Sequence, residues 1–374
     1  MAVIAYLTDI EFGSGSLAQL PGRMERLRIS RPLLVSDHGV VSAGLVDKIV
    51  PFLPEDLPVF LDVPSNPTEA ATLAAVELYR NKGCDGVVVI GGGSPVDLAK
   101  GVALLATHQG NLARYALIEG GLEKITAEVA PVIAIPTTAG TGAEVGRAAL
   151  ITLEDGRKLG FVSPHLIPKC AICDPELTMG MPPGLTAATA LDALSHCLET
   201  YLSPRDNAPA EAIALDGAVR IWTHVRAAFH DGSNLVARTA LMMGALEGGL
   251  MFQKGLGAIH ALSHAMGGLK SPNLHHGTLN AILLPAVMAI NRPMAEPKFE
   301  RIEAVLGIET GGLVGALNDL NHELGIPIGL KTLGVKEEQL SLIVERALAD
   351  HSHATNPLPL TPDEYRQVLL AVMH

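Results

Sequence analysis

The first half of the chain alternates short, uninterrupted apolar runs with stretches of helical periodicity. Residues 31–37 (RPLLVSD), 57–63 (LPVFLDV) and 85–90 (DGVVVI) predict strands, and the last runs straight into Gly91-Gly92-Gly93-Ser94. Further strands are expected at 131–135, 148–152 and 170–173. Residues 68–79 space their apolar side chains at helical intervals after the start signal Ser65-Asn66-Pro67-Thr68. Strands that lack polar alternation are buried on both faces, as in a parallel sheet covered by helices. From about Pro182 the strand signals give way to Ala/Leu/Met helices at 186–201, 208–229, 235–250 and onward to Val372. The pattern predicts two domains, an α/β domain with a mostly parallel sheet over residues 1–180 and an all-α domain over 181–374. No internal repeat or low-complexity tract interrupts them.

Composition narrows the function classes. A chain of 374 residues with net charge −12 opposes nucleic acid and anionic membrane surfaces as partners. No uninterrupted apolar run reaches spanning length; the best candidate, 279–290, is broken by Asn280 and Pro285. The N-terminal residues carry no basic segment of the secretory kind, and four cysteines are too few for a disulfide framework, so a reducing cytoplasm is expected. Cys170 and Cys173 form a CxxC, but on a buried strand ending at Asp174-Pro175 they face opposite sides. Without a helix N-terminus to activate a thiol, or a second CxxC to complete a zinc cluster, they read as core residues.

Chemistry concentrates in the second half. Asp192 and His196 are four apart, and His260 and His264 repeat that spacing on a second apolar segment, followed by His275-His276-Gly277. On helices each pair shares one face, so a carboxylate and several imidazoles projecting inward from neighbouring helices make a divalent metal site of mixed nitrogen and oxygen donors. In the first half, Gly91–Lys100 (GGGSPVDLAK) leaves a strand and opens a helix, where glycines let a phosphate approach and free N–H groups receive it. This is not the G-x-G-x-x-G fingerprint, whose ribose-binding acid lies after the glycines. Here Asp37, at a strand end before the loop, is the expected ribose residue, and its charge would repel a 2′-phosphate and favour NAD over NADP. A second polar loop, 136–145 (PTTAGTGAEV), offers hydroxyls and glycines suited to a cofactor's phosphate and ribose edges.

Taken in order, GGGSPVDLAK, PTTAGTGAEV, DALSH, GLGAIHALSHAMGG and HHGTLNAILLP strongly resemble the iron-containing (group III) alcohol dehydrogenases. The resemblance spans essentially the whole chain. Within the family, stretches such as PSNPTEA (64–70), DGRKLGF (155–161) and FQKGLG (252–257) are most similar to the bacterial 4-hydroxybutyrate dehydrogenases. It implies a dehydroquinate synthase-like fold, a dinucleotide-binding α/β domain and a helical metal-binding domain with the active site in the cleft between them, assembled as a homodimer or larger. It implies Asp192, His196, His260 and His276 as ligands of Fe(II), with Zn(II) as the alternative, and His264 near the metal without ligating it. It implies NAD contacts at Asp37, Asn66, Gly92, Gly93, Ser94, Thr137, Thr138, Thr141 and Lys158. Two departures stand out. The usual TTSGTGSEV reads with Ala139 and Ala143 here, losing two hydroxyls, and His275 stands where many relatives have proline.

The expected reaction is hydride transfer between NAD(H) and 4-hydroxybutyrate or succinic semialdehyde, the metal acting as a Lewis acid. A generic short-chain alcohol, diol or lactaldehyde is the alternative substrate. A nucleotide- or metal-sensing protein is the alternative outside enzymes. His264 would either relay the hydroxyl proton or orient a ligand. The filled ligand positions disfavour a metal-free reductase, and the HALSH…HHG spacing disfavours dehydroquinate synthases and glycerol dehydrogenases. A substrate carboxylate needs a cation, and Arg147 and Lys270 stand close to the chemistry in sequence. The competing reading pairs Arg147 with Glu144 and leaves Lys270 as a solvated loop residue.

Overall fold

The computed structural model describes residues 8–269 and 271–374. They divide into two compact units, one reaching to Thr138 and including Gly142–Met179, the other comprising Gly180–His374 with Ala139–Thr141.

The first unit holds strands β1 (Asp9–Phe12), β2 (Pro32–Val35), β3 (Val59–Phe60), β4 (Gly86–Gly91), β5 (Val132–Pro136), β6 (Ala148–Thr152), β7 (Lys158–Val162) and β8 (Cys170–Cys173). Its helices are α1 (Leu20–Leu27), α2 (His38–Ser42), α3 (Leu45–Ile49), α4 (Glu69–Asn81) and α5 (Gly93–Thr107). Six strands form one sheet in the order β1-β8-β5-β4-β2-β3, every pair parallel. The uninterrupted apolar runs have a direct cause. Val87 and Val89 of β4 pack with Val76 of α4 and Leu98 and Val102 of α5, while Val88 and Ile90 pack with Leu20 of α1 and Ile49 of α3. Both faces are covered, so no position on the strand is free to be polar.

Two strands depart from expectation. Residues 148–152 do not join the parallel sheet; β6 pairs antiparallel with β7 as a separate hairpin. The turn between them carries Asp155-Gly156, with Gly156 at φ +84°, a hairpin signal that an apolar-run reading passes over. At the other edge, β1 was not foreseen, because an edge strand reading DIEF is polar where it meets solvent. Cys170 and Cys173 are buried on β8, and both are free thiols. Burial pushes the Cys170 thiol up to about 11, which leaves it inert.

The second unit is helical: α6 (Pro183–Leu202), α7 (Ala208–His230), α8 (Leu235–Leu250), α9 (Ala258–Gly267), α10 (His276–Asn291), α11 (Glu296–Leu306), α12 (Leu313–Glu323), α13 (Leu340–Ala349) and α14 (Pro362–Ala371). Helix α6 is buried from Thr186 to Leu202, packed by α7, α8 and α10. Such a helix must be apolar all round, and its few polar side chains must find partners. Its C-terminal carbonyls are satisfied by the buried Lys254, whose Nζ donates to Thr200, Tyr201 and Ser203 at 2.6–3.2 Å. The stretch Leu235–Lys254 is long and apolar enough by composition to cross a membrane, and 61% of its most apolar window is buried in the protein.

Candidate metal centre and nucleotide loop

The i,i+4 spacing does on α6 what the sequence requires. Asp192 and His196 stack on one face, with Asp192 Oδ1 3.5 Å from His196 Nε2. Helix α9 brings His260 Nε2 to 3.8 Å from the same oxygen, and the first residue of α10 brings His276 Nε2 to 3.7 Å. Gly277 makes that approach feasible: a Cβ there would stand 2.5 Å from the Ala188 carbonyl oxygen of α6. These separations are too long for hydrogen bonds but close to the edges of a coordination polyhedron. Metal–ligand bonds of about 2.1 Å in a tetrahedron give ligand–ligand edges of about 3.4 Å.

At the centre of this set lies the Asn280 amide. Its Nδ2 is 2.7 Å from Asp192 Oδ1, 3.2 Å from His260 Nε2 and 3.1 Å from His276 Nε2. Two amide hydrogens cannot serve three acceptors. Among the described residues, Asn280 Oδ1 has no hydrogen-bond partner. A divalent cation satisfies what the amide cannot, so the donor set fits a metal of the Fe(II) or Zn(II) kind.

Electrostatics agree. Burial alone would raise the Asp192 carboxyl, but His196, with His260 and His276, outweighs it and holds the group well below the usual carboxylate range. Burial pushes His196 down to about 3, so it is a neutral donor. Burial also opposes charge on His260, yet Glu199 and Asp192 outweigh it and raise the imidazole to about 9. The Glu199 carboxylate is fully buried, accepts from the Ile259 N–H at 2.7 Å and lies 2.5 Å from His260 Nδ1. That bond fixes the tautomer and aims Nε2 at the other ligands.

Three residues here escaped the sequence reading. Glu199 lies at i+7 from Asp192, on the same stripe of α6, and Asn280 lies at i+4 from His276; both follow the spacing that picked out the histidines. Asp350, which lies 3.0 Å from His264 Nδ1, sits 86 positions away, and no local pattern announces it. His264 itself stacks on His276 at 5.5 Å between ring centroids and meets His260 edge-on at 5.7 Å. His275 N-caps α10, its Nδ1 accepting from the Thr278 N–H at 3.3 Å, which gives a polar cap where proline would offer none.

In the α/β unit, β2, β4 and β5 are adjacent and parallel, so the loops after them share one edge of the sheet. That edge carries Asp37, Gly92-Gly93-Ser94 and Thr137-Thr138, at the strand ends where such sheets take ligands. Gly91 allows the close turn: a Cβ there would meet Pro95 Cγ at 2.6 Å. A Cβ on Gly92 would stand 3.3 Å from the Thr138 hydroxyl. The Ser94 hydroxyl donates to the Ser65 carbonyl at 2.5 Å, and Lys158 Nζ donates to Asn66 Oδ1 at 3.0 Å, which draws Asn66 and Lys158 together. Asp37 is the N-cap of α2, its Oδ1 accepting from the Val40 N–H at 2.9 Å. Thr141 groups with the helical unit.

The two residues expected at the substrate's far end fare differently. Lys270 lies outside the described residues. Arg147 is half-buried at the start of the β6–β7 hairpin, its carbonyl accepting from the Ser163 N–H at 3.0 Å. Lys100 lies close enough to Glu144 to act on its charge. Burial pushes the Glu144 carboxyl up to about 7 and the Lys100 ammonium down to about 8, and Lys100 Nζ donates to the Gly146 and Ala148 carbonyls at 2.9 and 2.7 Å.

Comparison with known proteins gives a consistent result. Residues 8–175 match the family model for iron-containing alcohol dehydrogenase, and residues 186–373 match its C-terminal counterpart. The chain is 48% identical over 378 residues to a 4-hydroxybutyrate dehydrogenase of Cupriavidus necator, covering 99% of each. It is 37% identical to a 1,3-propanediol dehydrogenase of Citrobacter freundii, covering 92% of each. A solved 1,3-propanediol oxidoreductase superposes with a TM-score of 0.93 at 34% identity, covering 100% of both chains.

Proposed function

Because this chain belongs to the iron-containing alcohol dehydrogenase family and is an NAD-dependent oxidoreductase acting on CH–OH groups, we propose that it interconverts 4-hydroxybutyrate and succinic semialdehyde. The observation that carries the substrate is the end-to-end 48% identity with a 4-hydroxybutyrate dehydrogenase, against 37% with a diol enzyme. Asp192, His196, His260 and His276 hold the metal, and Asp37, Asn66, Gly92, Gly93, Ser94, Thr137, Thr138, Thr141 and Lys158 hold NAD. When bound, the ion supplies Lewis-acid polarisation of the substrate oxygen and NAD the hydride carrier.

The rest is done by side chains. Glu199 keeps the His260 ring in one tautomer through its Nδ1. Asp350 holds Nδ1 of His264, which leaves Nε2 to take up the hydroxyl proton in oxidation and return it in reduction. Burial keeps His264 below its ordinary value, so it is neutral and ready to accept. Arg147 pairs with the substrate carboxylate through its planar fork, with Lys270 as the second cation. A homodimer or larger assembly in a reducing cytoplasm completes the reading, in keeping with four unpaired cysteines.

The test compares succinic semialdehyde with butyraldehyde as NADH-dependent substrates. The proposal requires kcat/KM to favour the acid by about 100-fold, the worth of a charged hydrogen bond of about 3 kcal/mol, and Arg147→Met to erase most of that preference. Equal rates on both aldehydes would return the substrate to a generic short-chain alcohol.

A further inference from the structure

The histidine placed beside the metal centre also belongs to a second cluster of donors. His264 sits in α9, and Asp350 and His351 follow directly on α13, which packs against α9. His264 Nδ1 is 3.0 Å from Asp350 Oδ2, and His351 Nδ1 is 3.6 Å from Asp350 Oδ1. The two imidazoles stack at 5.8 Å between centroids, and one donor atom from each of the three residues falls within 4.8 Å of the others. The cluster runs from buried to open: the His264 side chain is 4% exposed, Asp350 12% and His351 35%. The Ser352 N–H donates to Asp350 Oδ1 at 2.8 Å and holds the carboxylate in place.

We infer that His264, Asp350 and His351 form a second divalent-metal site, accessible from solvent through His351, that takes zinc when the first site is already filled. Two imidazoles and one carboxylate are the donor set of three-ligand zinc sites with a position left for water, and they do not suit Mg(II) or Ca(II), which demand oxygen. The arrangement is close to coordination distance already. The Asp350–His351 separation of 3.6 Å is near the edge of a tetrahedron, and the His264–Asp350 contact must lengthen by only a few tenths of an ångström.

Occupancy has a consequence for turnover that rests on the function proposed above. Zinc on His264 Nδ1 takes the place of the Nδ1 proton, which is released to solvent, ends the hydrogen bond with Asp350 and places a cation on the ring that handles the substrate proton. The second site is therefore inhibitory. Its affinity rests partly on His351, which meets His264 and Asp350 and is not one of the four ligands assigned to the first site.

The test uses iron-loaded protein equilibrated with increasing zinc, counting iron and zinc separately and assaying turnover in parallel. The native chain should take up one zinc per chain without losing iron, with turnover falling at least about tenfold and recovering when a chelating buffer lowers free zinc. His351→Gln should keep basal turnover while its zinc affinity and zinc inhibition both weaken at least about tenfold, the worth of one lost ligand at 1.4 kcal/mol or more. Zinc uptake matched by equal iron loss would locate the ion in the first site and overturn the inference. So would unchanged zinc uptake in His351→Gln, or no zinc uptake by the native chain. Metal counting requires no substrate, so a chain that binds the second ion but fails on succinic semialdehyde would defeat the proposed function and leave this site standing.

Discussion

Glu199 shows how much one buried carboxylate can decide. It touches no substrate, yet it sets which nitrogen of His260 carries the proton. Glu199→Gln should weaken metal binding by about 10–100-fold, measured by dialysis against a graded chelator, because the neutral amide no longer raises the basicity of the ring. His260→Ala should lose more, since it removes the donor itself. Unchanged affinity in Glu199→Gln would mean that the ring is held by packing alone. Asp37 caps α2 and is also the proposed ribose residue, and the two roles need separating. Its Oδ1 caps α2, so replacement by glycine would disturb the helix start along with the ribose site. Asp37→Ser keeps a capping oxygen and removes the charge. The expected result is a narrowing of the NAD-over-NADP preference by about 1–3 kcal/mol, read from the ratio of kcat/KM values for the two cofactors. A preserved ratio would remove Asp37 from the ribose.

At the scale of elements, α10, α11 and α12 are tied by one side chain. Glu303 of α11 is fully buried and accepts from Arg292 Nη1 at 2.6 Å and from the Gly311 and Leu313 N–H groups, both at 3.0 Å, at the start of α12. The Arg292 guanidinium, outweighing burial, holds the Glu303 carboxyl down to about 2. A group whose value is depressed on folding stabilises the native state above its unfolded value and ceases to do so as pH falls through the folded one. The contribution of Glu303 should therefore be complete above about pH 4.5 and lost on the way to pH 2. Glu303→Gln should cost about 1–3 kcal/mol in urea unfolding at pH 7, and the gap to the native chain should close in that acidic window. A gap that stays constant with pH would assign the effect to packing.

For the molecule as a whole, the proposed metal ligands come from helices α6, α9 and α10, at positions 192 to 276, so a single ion held there would join the three. A ligand that binds only the native state stabilises it in proportion to its saturation. Removing metal with a chelator should abolish turnover and lower the melting temperature, and Fe(II), or Zn(II) limited to one ion per chain so that only the first site fills, should restore both. If His276→Ala still binds metal as tightly as the native chain, the four-ligand assignment is wrong at that position.

The division of labour between sequence and tertiary structure follows from the range of each interaction. Repeats of two and 3.6 residues are local, so the inner strands of the sheet, α6, α7, α8 and the glycine-rich turn after β4 were legible along the chain. The i,i+4 pairs were legible too, because helical geometry alone stacks Asp192 on His196. What the chain could not display was where separate elements meet. Strand 148–152 carries the same apolar signal whether it joins the parallel sheet or pairs with β7, and only the turn at Gly156 and the partner decided the hairpin. Asp350 reaches His264 across 86 positions, and Asn280 of α10 reaches Asp192 of α6 across 88. Periodicity fixes which residues share a face; the packing of helices against one another determines which faces share a site.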